Sequence, residues 1–469
     1  MNRLEQIASF VAETPGRSIS QTAIECAKLA LVDFAGVAVA GSLEPVSRIV
    51  ARHVQRTASG NATVIGARFR VSAADATLAN ATMGHALDFD DSSFVLGGHP
   101  TVTMLPALLA VGQERGDSGR DVLEAYIIGF EVMMKIARAV NFEHYEKGWH
   151  PTATLGTFGT AAAVARLLQL PAGAVRNALG LAASMSSGIK ANFGSMAKPL
   201  QVGHASQSGL LCAQLAAEGA TASHAALEGK QGFLAAYNGA GQYRAEELTR
   251  FGGTLEIVHP GLKFKKYPCC GATHAPIDAA LRLAKEGPLS SDEIESVTIA
   301  INQRRLPHVD RPVVANGLEA KFSLQYTVAA ALLHGEVSLR HFSDAAVGKT
   351  DIQRLVARVN ATGADRGDSL SQACELTVQF KNGDRRCIRL DDAEGRAADN
   401  YRTYMTAKFT DCIGQVFERG YALDLLPRLI AFDRCANVDD IASRLSLINT
   451  PAQENASMDR TEGIGMAGR

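Results

Sequence analysis

Two copies of the tripeptide His-Pro-Thr, which begin at His99 and His150, contain side chains suited to acid–base chemistry. Proline is favoured in the first turn of a helix, so each histidine is predicted to lie near a helix N-terminus. The helix dipole there disfavours the imidazolium and leaves a neutral imidazole that can accept a proton. A single histidine of this kind is more often a structural cap, but the repeated motif favours a catalytic role.

A cluster of acidic residues precedes the first motif, with Asp88, Asp90 and Asp91 inside four positions. Carboxylates this close repel one another unless cations or hydrogen-bond donors compensate them. A solvated turn would also tolerate the cluster, so the aspartates alone leave a surface loop and a functional site equally open. The two glycines that precede His99 leave the backbone free to place the imidazole at the rim of a cavity.

Lysines supply the candidate anchors for an anion. Lys198 falls in a stretch predicted to be helical, where a lysine is rarely buried without a partner. Lys263, Lys265 and Lys266 precede a Tyr-Pro-Cys-Cys-Gly segment at the predicted domain junction, where ligand clefts tend to form, although a solvated lysine run is the alternative. Histidines, lysines and aspartates together can abstract a weakly acidic proton beside a carboxylate and stabilise the charge that results.

Composition restricts the class of protein. The chain has 469 residues, enough for about two domains, and its 46% hydrophobic and 20% charged residues are typical of a globular protein. A net charge of −1 provides no basic field for nucleic acid or anionic lipid. The eight cysteines include no C-x-x-C pair, which argues against zinc-ribbon and iron–sulfur sites. The sequence shows no signal peptide or membrane span, so we expect a cytoplasmic protein.

Hydrophobic periodicity predicts a mainly α fold, with a large all-helical domain and a smaller α+β domain. Helices are predicted at 24–39, 102–111, 122–140, 155–170, 174–187 and 205–218. Alternating patterns predict strands at 296–302, 375–380 and 385–390, the last two joined by an Asn-Gly hairpin turn. The expected division is helical at 1–266, α+β at 267–400, a return to the helical domain at 401–448 and a disordered tail at 449–469.

Two patterns suggest other enzyme classes. Ser195 and Lys198 match the S-x-x-K signature of some serine acyl-transfer enzymes, but Pro199 is expected to push Lys198 away from helical dihedrals, and no S-D-N or K-T-G companion occurs. The D-x-D-D form of residues 88–91 is shared with helical terpene cyclases, which need an aromatic-lined cavity that 6% aromatic residues supply poorly. A non-enzymatic scaffold gives no reason for two His-Pro-Thr motifs.

Taken together, the motifs resemble those of the MmgE/PrpD family, which contains 2-methylcitrate dehydratase, cis-aconitate decarboxylase and iminodisuccinate epimerase. The resemblance extends from about residue 5 to about residue 445. Its carriers are Gly84-His85-Ala86-Leu87-Asp88-Phe89-Asp90-Asp91, His99-Pro100-Thr101, His150-Pro151-Thr152, Lys198-Pro199-Leu200 with Gly203-His204-Ala205, Tyr267-Pro268-Cys269-Cys270-Gly271 with Thr273-His274, and Phe322-Ser323-Leu324-Gln325-Tyr326.

The resemblance implies a homodimer whose site lies between the two domains and needs no cofactor or metal. Within it, His99 is the first candidate for the base, and His150 and Tyr326 are the candidate proton donors. Lys198 and Lys265 are the expected carboxylate anchors, and Asp88 is their orienting partner. The expected substrate-binding residues further include Lys263, Lys266, Cys270, His274, Asp91, Ser92 and Tyr145.

The activity that the resemblance implies is proton abstraction next to a carboxylate of a small polycarboxylic acid. A hydro-lyase like 2-methylcitrate dehydratase is the first expectation, and an epimerase of an iminodisuccinate-like diacid or a cis-aconitate decarboxylase are the alternatives. In the decarboxylases that make itaconate, a histidine follows two places after the proline that matches Pro268. Cys270 stands there in this chain, which argues against decarboxylation. Dehydration and epimerisation both begin with proton abstraction, and the sequence does not separate them.

Overall fold

A computed structural model describes residues 2–57, 59–285, 289–365, 371–391 and 401–448 of the chain. The prediction of a disordered tail at 449–469 therefore lies outside the described residues. Within the described ranges, no helix combines the length and the apolar character needed to cross a membrane. All eight cysteines belong to these ranges and are present as free thiols.

Helices dominate the chain before residue 265. They are joined by short connections, and several are buried on nearly all sides because alanine and glycine replace larger residues. A two-stranded antiparallel ribbon, β1 Ala62–Thr63 with β2 Arg70–Val71, precedes the fourth helix. The helices are α1 Arg3–Glu13, α2 Gln21–Gly41, α3 Pro45–Gln55, α4 Ala73–Ala86, α5 Thr101–Arg115, α6 Gly119–Val140, α7 Glu143–Glu146, α8 Pro151–Leu167, α9 Ala172–Met185, α10 Ala197–Ala217 and α11 Phe233–Asn238.

Local sequence explains where these helices begin and how closely they pack. The side chains of Ser20, Ser72 and Ser118 each accept a backbone N–H in the first turn of α2, α4 and α6. Small residues then allow close approach, since a Cβ atom on Gly129 of α6 would lie 2.6 Å from the Gly159 carbonyl oxygen of α8. The glycine-rich start of α8 therefore serves helix packing.

The predicted helices are confirmed, with differences at their ends. The largest difference concerns α10, which begins at Ala197 rather than at residue 205. The prediction that Pro199 keeps Lys198 out of a helix is wrong, because both residues lie in the first turn of α10, where the missing proline N–H costs no intrahelical hydrogen bond. Helix α4 was not predicted, since its alanines, threonines and asparagine form no apolar stripe.

The chain from residue 267 to residue 391 forms a smaller α+β unit. Its helices are α12 His274–Leu283, α13 Leu306–Val309, α14 Gly317–Ala320, α15 Leu324–His334, α16 Asp344–Val347 and α17 Thr350–Val356, and its strands are β3 Ile294–Asn302, β4 Val359–Ala364, β5 Cys374–Phe380 and β6 Arg385–Leu390. The sheet order is β4-β3-β5-β6, with β4 parallel to β3 and the other pairs antiparallel. Helices α12, α15 and α17 pack together with this sheet.

The three predicted strands are confirmed, and the β5–β6 hairpin turns at Gly383 with a positive φ of 94°. In the register, Val297 of β3 pairs with Val378 of β5 on one side and with Val359 of β4 on the other. Strand β4 was not predicted, because Val-Asn-Ala-Thr-Gly-Ala shows no clear alternation of apolar and polar residues.

The last described helices are α18 Tyr401–Ile413, α19 Arg419–Ile430 and α20 Asp439–Ala442. One hydrophobic core contains apolar residues from Leu4 to Phe264 and again from Met405 onward, and a second contains residues from Tyr267 to Leu390. The mainly α fold with a smaller α+β part is thus confirmed. The segment at residue 265 connects the two cores, which places its lysines between them.

Candidate active site

The two His-Pro-Thr motifs interlock. His150 is the N-cap of α8, and His99 lies two residues before α5, so the prediction that both histidines lie near helix N-termini is confirmed. The backbone N–H of His99 donates to Thr152 Oγ1 at 3.0 Å. A Cβ atom on Gly98 would lie 2.5 Å from the same oxygen, so glycine is needed there for close approach. The Thr152 hydroxyl of the second motif therefore fixes the backbone of His99 in the first motif.

The acidic loop begins where α4 ends. Asp88 takes a left-handed φ of 52°, a conformation that aspartate tolerates better than most residues, and the chain turns there. His85, in the last turn of α4, places Nδ1 2.8 Å from Asp90 Oδ2. The ring centroid of His85 lies 4.7 Å from that of His99 and 5.9 Å from that of His150. Three imidazoles therefore meet at this loop.

Both expected anchor lysines bind one carboxylate. Lys198 Nζ lies 2.5 Å from Asp88 Oδ1, and Lys265 Nζ lies 2.7 Å from Asp88 Oδ2 and 2.6 Å from the Asp88 carbonyl oxygen. Burial alone would raise the pKa of Asp88, but the two ammonium groups outweigh burial and hold it well below its ordinary value. Asp88 is thus ionised, and a substrate carboxylate would have to share the two ammonium groups with it.

We call His85, Asp88, Asp90, His99, His150, Lys198 and Lys265 the acid–base cluster. All of its side chains are buried except that of His99, which is 12% exposed. His99 lies between the two carboxylates, with Nδ1 3.3 Å from Asp90 Oδ2 and Nε2 3.7 Å from Asp88 Oδ1. Formal charges inside the cluster balance when the imidazoles are neutral, because two ammonium groups face two ionised carboxylates.

The pKa values of the three aspartates of the loop are shifted in different directions. The His85 and His99 imidazoles outweigh burial and hold the pKa of Asp90 well below its ordinary value. Burial and the neighbouring Asp33 carboxylate instead raise the pKa of Asp91 well above its ordinary value. Asp91 accepts a hydrogen bond from the Thr101 hydroxyl, which itself lies 2.6 Å from the Tyr126 hydroxyl. The raised pKa favours the protonated form of Asp91, which reduces the repulsion expected from the sequence.

The hydrogen bonds of His85 determine its tautomer. An ammonium group can only donate, so Lys198 Nζ, 2.9 Å from His85 Nε2, requires a lone pair on that nitrogen. The proton of His85 then resides on Nδ1 and is donated to Asp90. Burial lowers the pKa of His85 to about 4, which keeps the ring neutral at physiological pH. With both ring nitrogens occupied, His85 is suited to orient its neighbours.

His150 has the opposite arrangement, with one nitrogen left open. Its Nδ1 lies 3.0 Å from Gln201 Oε1, and the Gln201 amide is oriented by its donation to the Ile189 carbonyl oxygen at 3.1 Å. His150 therefore donates from Nδ1 and carries its lone pair on Nε2. Nε2 is buried and has no hydrogen-bond partner among the described residues. Burial, reinforced by Lys198, lowers the pKa of His150 well below its ordinary value, so the ring is a neutral acceptor.

Donor atoms of His85, Asp90 and His99 lie within 4.8 Å of one another, a spacing that could hold a metal ion. Ligation through His85 Nδ1 would move the ring proton to Nε2, directly against the Lys198 ammonium 2.9 Å away. The Nε2–H group of His85 and the Lys198 ammonium group would both be hydrogen-bond donors, and they would repel each other. The chemistry of these residues therefore fits a hydrogen-bonded network better than a metal centre.

Two of the predicted site residues lie apart from the cluster. Tyr326 is fully buried in the core of the smaller unit, where its hydroxyl donates to the His341 carbonyl oxygen. Lys266 points to the surface and pairs with Asp278 at 2.9 Å. Neither side chain is brought to the acid–base cluster, because Tyr326 belongs to the buried face of α15 and Lys266 points away from Lys265.

Other predicted residues border the cluster. Ser92 and Lys263 form a short antiparallel bridge, each N–H donating to the other carbonyl oxygen at 2.8 Å. Burial and the Asp88 carboxylate raise the pKa of the Cys270 thiol. Burial and Lys265 lower the pKa of His274 well below its ordinary value. Cys270 and His274 are therefore close enough to Asp88 and Lys265 to be influenced by their charges.

Tyr145 stands on a different edge of the cluster. Its ring lies under Lys190, whose Nζ is 3.4 Å from the ring centroid, and makes an edge contact with His308 at 5.4 Å. Burial, followed by the charge of Cys270, raises the pKa of Tyr145 above its ordinary value. Burial lowers the pKa of Lys190 to about 8. Tyr145 is therefore protonated at physiological pH and can act as a hydrogen-bond donor.

Sequence reasoning missed several residues of the site. His85 and Asp90 were noticed within the acidic motif but received no role. Gln201 follows Lys198 by one helical turn on α10, a spacing that could have indicated a shared face. Lys321, whose Nζ donates to the Leu87 carbonyl oxygen at 2.9 Å, comes from a distant segment, and nothing in its local sequence indicates this contact.

Comparison with known proteins identifies the family of this chain. Residues 5–246 match the MmgE/PrpD N-terminal domain, and residues 267–423 match the MmgE/PrpD C-terminal domain. The chain is 27% identical over 395 residues to the cis-aconitate decarboxylase of Mus musculus, covering 81% of this chain and 80% of that protein. It is 26% identical over 480 residues to the cis-aconitate decarboxylase of Aspergillus terreus strain NIH 2624, covering 96% of both. The chain therefore belongs to the MmgE/PrpD family.

Proposed function

We propose that this protein is an enzyme that removes a proton next to a carboxylate of a small polycarboxylic acid without a cofactor. Its membership of the MmgE/PrpD family supports an enzyme that acts on small carboxylic acids. The observation that carries the proposal is the open Nε2 of His150, a buried neutral acceptor beside the Lys198 ammonium. A base placed next to cations is what abstraction of a weakly acidic C–H proton requires.

The resting tautomers support exchanging the two histidine roles expected from the sequence. His150 has no proton on Nε2 to donate, so we assign it as the base. His99 is flanked by the carboxylates of Asp90 and Asp88, which would compensate a positive charge on its ring. We therefore assign His99 as the proton donor. Lys198 and Lys265 would bind the substrate carboxylate whose α-carbon loses the proton.

Dehydration is the first candidate reaction. In it the C–H bond breaks, its proton passes to His150 and its electron pair forms the carbon–carbon double bond. The adjacent C–O bond breaks as that double bond forms, and the hydroxyl group leaves as water with a proton from His99. Epimerisation would begin with the same abstraction, and a donor on the opposite face would then return a proton to the same carbon. The two reactions therefore share the base and the anchors.

Decarboxylation of a cis-aconitate-like acid is the second candidate. The curated relatives that support it carry the name cis-aconitate decarboxylase and are 26–27% identical to this chain. Cys270 opposes it, since an imidazole at this position would be a proton donor beside the cluster, whereas burial raises the pKa of the Cys270 thiol. Replacing Cys270 by histidine is therefore an informative variant for this reaction.

The deciding experiment is to incubate the protein with 2-methylcitrate, citrate, cis-aconitate and iminodisuccinate in deuterated water and to follow proton NMR. A new alkene signal would support dehydration, and deuterium beside a carboxylate without net conversion would support epimerisation. Loss of carbon dioxide would support decarboxylation. His150→Gln should abolish whichever change occurs. If none of the acids undergoes exchange or conversion, the proposal is contradicted.

The expected assembly is a homodimer. Mass measured by light scattering during size-exclusion chromatography tests it directly, with about twice the 49.7 kDa of one chain as the expected result. A monomeric mass at assay concentration would contradict this expectation without affecting the assignment of the base.

A further inference from the structure

Lys408 connects three separated parts of the chain from inside the molecule. It lies on α18 and is buried, and its Nζ donates to Asp33 Oδ1 at 2.6 Å, to the Phe89 carbonyl oxygen at 2.7 Å and to the Lys265 carbonyl oxygen at 3.0 Å. An ammonium group has three N–H bonds, so each has one acceptor. No donor is left for substrate, which gives Lys408 a different task from that of Lys198 and Lys265.

The two carbonyl oxygens belong to the segments that carry the acid–base cluster. Phe89 stands between Asp88 and Asp90, and Lys265 supplies one of the two ammonium groups that bind Asp88. The same helix also bonds the neighbouring carbonyl, since the Tyr404 hydroxyl donates to the Phe264 oxygen at 2.9 Å. Helix α18 therefore contacts the acidic loop and the lysine segment through their main-chain carbonyl oxygens.

The two segments are also joined at a second point. The Ser92–Lys263 bridge lies beyond Phe89 on one segment and before Lys265 on the other. These two connections, one by backbone pairing and one through Lys408, restrict movement of the acidic loop relative to the lysine segment. Without Lys408, the Ser92–Lys263 pairing and the contacts of Lys265 with Asp88 would remain between the two segments, but the bond that joins their main chains next to Asp88 would be lost.

We propose that Lys408 is a positioning residue, which sets the distance between the Lys265 ammonium and the Asp88 carboxylate. This inference rests on the proposed function for its catalytic consequence, but its structural part does not. Asp33 keeps the Lys408 ammonium charged inside the protein, because a buried cation persists only with a counter-charge. The Asp33 carboxylate thereby maintains the hydrogen bonds of Lys408 to the Phe89 and Lys265 carbonyl oxygens.

The test uses the full chain and removes the positioning bonds without leaving an unpaired buried charge. In Asp33→Asn with Lys408→Met, both members of the ion pair become neutral, so the protein is expected to fold. A crystal structure of this double variant should show Lys265 Nζ displaced from Asp88. The steady-state rates on the acid that the wild type converts should show kcat/KM reduced about a hundredfold, with KM raised and kcat lowered.

Lys28 offers a matched control. It is a buried lysine on α2, the helix that carries Asp33, and it pairs with Glu25 and Asp433 away from the cluster. Lys28→Met should lower the melting temperature and leave kcat and KM unchanged. Lys408→Arg keeps the charge and the hydrogen-bond donors, so its kcat/KM should lie between that of the double variant and that of the wild type.

The outcomes separate the two proposals. A double variant that retains the 2.7 Å contact between Lys265 and Asp88, or wild-type kcat and KM, would overturn the positioning role. A wild-type protein that is inactive on every acid would contradict the proposed function, and the crystal structure of the double variant would still decide the role of Lys408.

Discussion

Two largely buried ionic clusters among the described residues differ in how completely their polar atoms are satisfied. One consists of Glu131, Lys135, Arg138 and Glu256, which we call the structural cluster. Lys135 Nζ lies 3.1 Å from Glu131 and 3.0 Å from Glu256, and Arg138 binds Glu256 through two nitrogens at 2.6 and 2.9 Å. Among the described residues, no buried side-chain atom of this cluster lacks a hydrogen-bond partner.

The acid–base cluster is also buried and also balances its charges, but its hydrogen bonding is incomplete. His150 Nε2, His99 Nδ1 and Asp90 Oδ1 have no hydrogen-bond partner within the described ranges, and neither does Asp91 Oδ1 next to the cluster. An unsatisfied buried polar group costs free energy, so several in one place indicate a position where another molecule completes the network. Complete hydrogen bonding thus indicates a structural role, and several unsatisfied polar atoms in one place indicate a ligand-binding or catalytic site.

The largest expected effect is on catalysis. His150→Gln removes the open Nε2, so kcat should fall by about 10²- to 10⁴-fold, as for loss of a general base. The melting temperature should change little, since glutamine can still donate toward Gln201. His144→Gln is the matched control, because His144 is buried and both its ring nitrogens are paired, with Asn238 and Thr154. An equal loss of kcat in both variants would remove the distinction between open and paired imidazoles.

The reverse effect is expected in the structural cluster. Lys135→Met leaves Glu131 and Glu256 with less compensation and should lower the free energy of unfolding by about 3–5 kcal/mol. Urea denaturation followed by circular dichroism measures this loss. The kcat of the folded fraction should equal that of the wild type. A strong fall in kcat at full folding would show that this cluster also contributes to the site.

Acid should destabilise the protein through its neutral histidines. The folded-state pKa of His85 is about 4, below the ordinary 6.5, so the unfolded chain binds more protons between these values. Stability is therefore fully present above about pH 6.5 and decreases as the pH falls toward 4. His144 and His308, with pKa values also lowered to about 4, act in the same direction.

Urea midpoints between pH 7 and pH 4.5 measure this dependence. Replacing His85 by glutamine should reduce the slope without abolishing it, because His144, His308 and the other histidines whose pKa is lowered by burial remain. An unfolding free energy that rises as the pH falls over this interval would mean that these imidazoles are charged in the folded protein.

The smallest effect is expected at Lys266. Its side chain is 45% exposed and pairs with Asp278 at the surface, so Lys266→Met should change the free energy of unfolding by no more than about 1 kcal/mol and leave KM unaltered. The adjacent Lys265→Met should raise KM about tenfold or more, since it removes a charge-assisted contact. A similar rise in KM for Lys266→Met would instead support the expectation from the sequence that Lys266 binds substrate, despite its position at the surface.

Sequence patterns were most informative where a motif and its local structure coincide. The His-Pro-Thr repeats predicted two helix N-termini, and the Asn-Gly turn predicted the β5–β6 hairpin, because proline and glycine act on the backbone of their own segment. Helix α4 escaped prediction because burial on nearly all sides left no apolar stripe, and strand β4 because its mostly exposed Val-Asn-Ala-Thr-Gly-Ala segment shows no alternation. His85 lies in α4, so missing the helix also concealed that histidine's position.

The residues that could take part in chemistry were largely determined by the sequence itself, because histidine, lysine and aspartate types are visible without a fold. Only the tertiary structure decided their states. Asp88 and Asp91 are three positions apart, yet Lys198 and Lys265 hold the pKa of Asp88 well below its ordinary value, whereas burial raises that of Asp91 well above it. The lysines that make this difference come from segments more than a hundred residues away. Charge and proton position depend on neighbours in space, which the order of residues along the chain does not specify.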